Sequence, residues 1–181
     1  MDGTLTVPMH DFGWLRTQLA IPETQDILAT LQSWPSPRRE EAWAFINTWE
    51  DELARGARAW PDAGPLLQRL RDRGCRVGIL TRNSRAGARI TLEAAGLLSY
   101  FELEDILGRD DAEAKPSPDG VLRLVSQWGS SPAQAVMVGD WIHDVRAGKT
   151  AGAASILVRR HPPQGWEHEA DHVVDELAEL L

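Results

Sequence analysis

Between residues 77 and 158, short apolar runs alternate with stretches of helical spacing, and that rhythm leaves few architectures open. Val77-Gly78-Ile79-Leu80-Thr81 is too short for a helix and is bounded by Arg76 and by Arg82-Asn83. Ser84 to Ala95 places Ala88, Leu92 and Ala95 at helical spacing and stops at Gly96, the residue type favoured just past a helix C-terminus. Phe101 to Leu107 reads as a weaker strand. Ser117-Pro118 opens the next helix, with serine as N-cap and proline at the first helical position. That helix carries Val121, Leu124, Val125 and Trp128 on one face and ends at Gly129. Ala135-Val136-Met137-Val138 and Ala154-Ser155-Ile156-Leu157-Val158 read as two more buried strands, joined by a helical stretch rich in Ala and Gly. Such alternation predicts a parallel sheet covered by helices on both faces, an α/β fold.

Residues 8 to 60 break the rhythm. They hold no strand-like run, but Ile27, Leu28 and Leu31, then Trp43, Ile46, Trp49 and Leu53, keep helical spacing. Pro22, Pro35, Pro37 and Pro61 punctuate the segment, which reads as an insert of two to four helices. The expected organisation is a core formed by residues 1–7 and 60–181, with a helical cap over residues 8–59. Trp14, Trp34, Trp43, Trp49 and Trp60 fall in or beside this cap. They suit either an aromatic substrate pocket or helix packing; Trp43 and Trp49 share the apolar stripe with Ile46 and Leu53, which favours packing.

Composition excludes several roles. The chain of 181 residues has 27 acidic against 19 basic residues, a net charge of −8, which argues against a general affinity for nucleic acid or an anionic membrane. The single cysteine, Cys75, leaves no internal disulfide and no cysteine-cluster metal site. No apolar run approaches a membrane span and the first residues lack a signal-peptide core, so a cytoplasmic location is expected. Lys115 and Lys149 are the only lysines; the other basic residues are arginines, which cannot act as neutral amines.

Four short segments carry chemistry: Asp2-Gly3-Thr4-Leu5-Thr6, Thr81-Arg82-Asn83 at a strand end, Lys115-Pro116-Ser117-Pro118 before a helix, and Gly139-Asp140-Trp141-Ile142-His143-Asp144 after the most apolar strand. In a parallel sheet, residues at the C-terminal ends of strands converge on one crevice. Clustered carboxylates repel one another unless a hard cation sits among them, and oxygen ligands of this kind suit Mg²⁺. Such an ion favours a phosphate substrate. Lys115 adds a fixed positive charge, Thr81 a hydroxyl donor, and an aspartate such as Asp2 can protonate a leaving alkoxide and then activate water. Taken singly, each has a plainer reading: Asp2-Gly3 a turn, Thr81 a strand-end cap, Lys115 a surface charge, Asp140 and Asp144 helix caps. Their order, each at a strand end or a helix start, favours one site.

With these motifs the chain resembles the haloacid-dehalogenase superfamily of hydrolases, in its phosphoglycolate-phosphatase-like branch. The first family motif, Asp-x-Asp-Gly-Thr-Leu-Thr, matches Met1 to Thr6 from the x onward. The second matches Gly78 to Asn83, the third Lys115 to Pro118, and the fourth Gly139 to Asp144. Ala147 to Gly152 and the tail Ala170-Asp171-His172-Val173-Val174 are also typical. The resemblance covers nearly the whole chain and implies a Rossmann-like core with a helical cap inserted after the first motif. It further implies a Mg²⁺-dependent phosphatase acting on a small phosphorylated metabolite, as a monomer or weak homodimer. Asp2 would be the general acid/base and lend its backbone carbonyl to Mg²⁺. Asp140 and Asp144 would hold the metal, Thr81 and Lys115 the phosphoryl group, with Asn83 near it.

One departure bears on activity. The family nucleophile is the first Asp of the first motif, one residue before the x, and here x is Met1. The nucleophile and the apolar strand that presents it are expected just upstream, so residues 1–181 alone should show little turnover. Two alternatives keep the same motifs: a catalytically silent module that binds Mg²⁺ and phosphate, and a sugar-phosphate mutase. Dehalogenases of the family lack the acid/base Asp, which Asp2 supplies. Phosphonatases need a cap lysine, and residues 7 to 60 hold none. A response-regulator receiver would not place Gly-Asp-x-x-x-Asp after the lysine. His143 is assigned no role, and His10, His161, His168 and His172 are expected to be surface or packing residues.

Overall fold

The computed structural model describes residues 1–181. Its sheet strands are all parallel, but they lie in two sheets. β1 (Ile79–Leu80) pairs with β2 (Ile106–Leu107), and β3 (Val136–Gly139), β4 (Ala154–Val158) and β5 (His172–Val174) pair in that order. β1 and β3 share no ladder, so each is an edge. Side-chain alternation still makes one layered structure of them, because successive residues on a strand face opposite ways. Ile79 and Ile106 point to a core shared with α4 (Ala63–Asp72), α5 (Arg85–Ala94) and Val158, against which Val138 packs. Leu80 and Leu107 point the other way, to a core built by α6 (Asp119–Gln127) and α7 (Ile142–Ala151), against which Met137 packs. Helices therefore cover both faces of the strands, the α/β arrangement expected.

Several boundaries differ from the sequence reading. The strand expected over 101–107 shrinks to Ile106–Leu107, because residues 98–100 and 103–105 form 3-10 turns. The helix after Lys115 starts at Asp119 rather than directly after Ser117. Pro118 occupies the cap position without a side-chain bond, and the Ser117 hydroxyl instead accepts the Asp119 N–H at 3.3 Å. β3 is not a buried strand: Val136 is 54% exposed, and only Gly139 is fully buried. Its exposure reflects a strand with one neighbour rather than two. α5 is capped by Ser84, whose hydroxyl accepts the Gly87 N–H.

Residues 12–55 form three helices, α1 (Phe12–Leu19), α2 (Ile27–Ser33) and α3 (Ser36–Arg55), and no strand. They enclose a small core of their own, made by Leu15, Leu19, Leu31, Ala42 and Ile46. Trp34, Trp43 and Trp49 pack against that core, so all three have the packing role, whereas Trp14 is 41% exposed. Asp11 and Asp26 cap α1 and α2 by accepting the Trp14 and Ala29 N–H groups. No helix of the chain is long and apolar enough to cross a membrane.

Candidate active site

The first turn of the chain sits against the loop that follows β3. Residues 3 to 6 fold back on Met1, whose carbonyl accepts the N–H groups of Thr4, Leu5 and Thr6. Gly3 has φ +76, and a Cβ there would lie 2.1 Å from Asp140 Oδ2, so only glycine lets this turn approach the carboxylate. Thr4, 3% exposed, donates its hydroxyl to Asp140 Oδ1 at 2.8 Å. Asp2 accepts the Thr6 hydroxyl at 3.3 Å and the Asn83 amide at 2.9 Å. The aspartate of the first segment and the asparagine of the second thus meet directly, 81 residues apart in sequence.

Lys115 is buried at 8% exposure, and its ammonium donates to the Leu80 carbonyl at 2.8 Å and to Asp144 Oδ1 at 2.5 Å. The other Asp144 oxygen accepts the Trp141 N–H. Burial pushes the Asp144 carboxyl up, but the Lys115 ammonium, the α-ammonium of Met1 and these hydrogen bonds outweigh it and hold the group below the usual carboxylate range. Gly139 makes room for this pair: a Cβ there would stand 2.2 Å from the Asp144 Cβ. Thr81, 7% exposed, receives its backbone register from the Leu107 carbonyl, and its hydroxyl accepts the Asn83 N–H at 3.2 Å.

The six residues singled out from sequence therefore fall into two linked groups. Lys115 and Asp144 form one, Asp2 and Asn83 the other. Thr81 adjoins the second group, and Asp140 is joined to the turn of the first segment through Gly3 and Thr4. No three carboxylate, histidine or cysteine side chains converge at metal-ligand spacing. Asp2, Asp140 and Asp144 supply oxygen donors only, the chemistry that fits a hard cation such as Mg²⁺.

The structure also brings to this region residues that the sequence reading passed over. Thr4 lay inside a quoted motif but had no role. His161, expected to be a surface or packing residue, stands with Nε2 3.3 Å from Asp140 Oδ2 and its ring edge-on to Trp141 at 5.3 Å. Nothing local marks it. The available signal was its place in the loop that follows β4, at the same end of the sheet as Asp140. Arg109 was not singled out either: it donates to both oxygens of Glu50 at 2.9 and 2.8 Å and to Asn47 on α3, with the guanidinium over the Trp43 ring. Arg82 pairs with Asp26 at the start of α2. Beside Arg109, a cavity of about 370 Å³ lies between Leu28, Arg39 and Trp43 of the helical segment and residues 109–114, the loop leading to Lys115.

Comparison with known proteins gives the chain's family and its structural relatives. The family model for haloacid dehalogenase-like hydrolases matches residues 9–152. A haloacid dehalogenase-like hydrolase domain-containing protein of Arabidopsis thaliana is 28% identical over 99% of this chain and 79% of its own length. A phosphoglycolate phosphatase of Nitrosococcus oceani is 29% identical over 75% of this chain, which spans 61% of that protein. A solved hydrolase from Pseudomonas syringae superposes with TM-score 0.80 at 22% identity, covering 99% of this chain and 92% of its own. A phosphatase of the same class from Thermococcus onnurineus gives TM-score 0.71 at 26% identity, covering 99% and 93%. Four ordered motifs on one edge of an α/β core, together with a family match over most of its length, place this chain among the haloacid dehalogenase-like hydrolases.

Proposed function

We propose that the protein is a phosphatase of small phosphorylated metabolites, with Mg²⁺ as its cofactor and residues 8–59 acting as a cap. The observation that carries this reading is the Asp2–Asn83 contact beside Thr81, with the buried Lys115–Asp144 pair on the same edge. In this reading Lys115 and the Thr81 hydroxyl bind the phosphoryl oxygens. The Thr81 hydroxyl proton is free for this, because that oxygen acts as an acceptor toward Asn83. Asp2, held by Asn83 and Thr6, gives a proton to the leaving alkoxide and then takes one from the attacking water. The Asp2 carbonyl, Asp140 and Asp144 would hold Mg²⁺, which would supply charge that offsets the phosphoryl oxygens. The helical segment limits the space over the site and keeps water out, which selects small substrates over phosphoproteins. Phosphatases among the relatives, a phosphoglycolate phosphatase and a pyrophosphatase of Bacillus pumilus, support the substrate class.

The attacking carboxylate in this reading is an Asp immediately before Met1, and the reaction passes through its aspartyl-phosphate. A chain extended by an apolar strand ending in Asp should hydrolyse an aryl phosphate in MgCl₂, and residues 1–181 alone should fall short by several orders of magnitude. Equal hydrolysis by residues 1–181 overturns the placing of the nucleophile. Hydrolysis by neither, with phosphate binding intact, favours the silent binding module.

A further inference from the structure

The turn that carries Thr81 is held from outside its own sheet. Arg82 reaches the carboxylate of Asp26 on the helical segment. Arg109 ties the two together: its backbone N–H donates to the Asn83 carbonyl at 2.9 Å, and its guanidinium touches the Arg82 carbonyl at 3.4 Å. The same guanidinium is spread over Glu50 and Asn47 of α3. Both members of the ion pair are buried, Arg109 with 7% and Glu50 with 10% of its side chain exposed. A planar guanidinium with five N–H groups can hold two oxygens of one element and a carbonyl of another at once, whereas an ammonium cannot do so in fixed geometry. Gly108 permits the arrangement, because a Cβ there would lie 2.3 Å from the Arg85 nitrogen.

We propose that Arg109 is a positioning residue for phosphoryl binding: it fixes the Thr81–Asn83 turn through α3, so that the turn reaches its binding geometry only with the helical segment docked. The inference rests on the phosphoryl-binding role given above to Thr81. Arg109 makes no hydrogen bond or ion pair to Asp2, Thr81 or Lys115, and its effect travels through Asn83, whose amide holds Asp2.

The test is titration calorimetry of inorganic phosphate in MgCl₂ with the 181-residue chain. Arg109→Gln should weaken phosphate at least tenfold, and Arg109→Lys should recover only part of that loss. In a Thr81→Ala background, Arg109→Gln should add less than threefold, because residues that act through one another are not additive. A residue that affects phosphate independently of Thr81 would instead multiply the two losses, and one that merely stabilises the fold would leave the affinity of the folded variant unchanged. Should Arg109→Gln fail to fold, Asn47→Ala removes one Arg109 tie from the exposed side, and Asp26→Asn removes the parallel tie that Arg82 makes to the helical segment; each should weaken phosphate about threefold. Affinities within twofold of the parent for all folded variants, or fully multiplicative losses, overturn the role of Arg109. A parent chain that takes up no phosphate overturns the phosphoryl reading of the site itself.

Discussion

One buried ion pair lies within the candidate site and another beside it, and their carboxyls shift in opposite directions. Lys115–Asp144 lies wholly within the α/β core; Arg109–Glu50 joins the core to α3. Burial raises both carboxyls, but around Asp144 the ammonium groups and hydrogen bonds win. Around Glu50 burial wins over the Arg109 guanidinium, assisted by the negative charge of Asp2, and the carboxyl stays above its ordinary value. The core pair therefore stabilises the charged state it holds, whereas the seam pair strains against its own burial. The difference predicts a permanent element in the core and a joint more easily opened at the seam. A buried pair helps stability only when its partners more than repay desolvation, and the opposite directions predict that the core pair does so more fully than the seam pair.

Lys115→Ala tests the first half of that contrast and should have the largest effect. It leaves Asp144 buried beside a lone Leu80 carbonyl, a change that typically costs about 3–5 kcal/mol. Urea denaturation should show it as a large drop in the midpoint. A loss under about 1 kcal/mol would mean that water reaches the carboxylate. Gly3→Ala comes next. It demands positive φ from an L residue and drives a methyl group into Asp140, so about 1–3 kcal/mol should be lost. The Thr4–Asp140 bond should break with it, read as a shift of the Thr4 amide resonance. An unshifted resonance would show that the turn does not depend on this contact.

These contacts also mark how far the sequence could be read. The alternation of apolar runs and helices gave the layered α/β arrangement because period-2 and period-3.6 patterns survive in one dimension: Ile79 and Leu80, adjacent in sequence, do face opposite cores. Asp2, Thr81, Asn83, Lys115, Asp140 and Asp144 were visible as strand-end and helix-start residues. Arg109 and Glu50 were not, because neither stands in a motif; their pairing spans 59 residues and exists only once α3 lies on the core. His161 escaped for the same reason. The exposure of Val136 had no sequence signal, since an apolar strand reads alike whether it has one neighbour or two.

Glu50→Gln addresses the seam pair. The amide keeps an acceptor for Arg109 and removes a charge that burial disfavours, so the net effect on urea stability near neutral pH should be within about 1 kcal/mol. Asp144→Asn should cost clearly more, because it deletes the charge that Lys115 requires. Equal losses from the two variants would erase the distinction between core and joint.

The smallest expected effect is in the pH dependence, and there the two pairs should pull in opposite senses. Asp144 is depressed below its ordinary 3.8 in the folded chain, so its contribution is present above that value and fades as pH falls through the lower folded value. Glu50 is raised above its ordinary 4.5, so folding favours its protonated form. Its term is most favourable below that value and is lost as pH rises through the raised folded one. Between the two windows, acidifying a solution from neutral should first tighten the docking of α3 and then, below about pH 4, loosen the core. Hydrogen exchange separates the two, because protection of α3 amides and of the β3–α7 loop is read independently. Glu50→Gln should flatten the first phase and leave the second. Should α3 protection instead fall steadily from neutral pH downward, the Glu50 carboxyl would be charged throughout the docked state, and the seam pair would be no weaker than the one in the core.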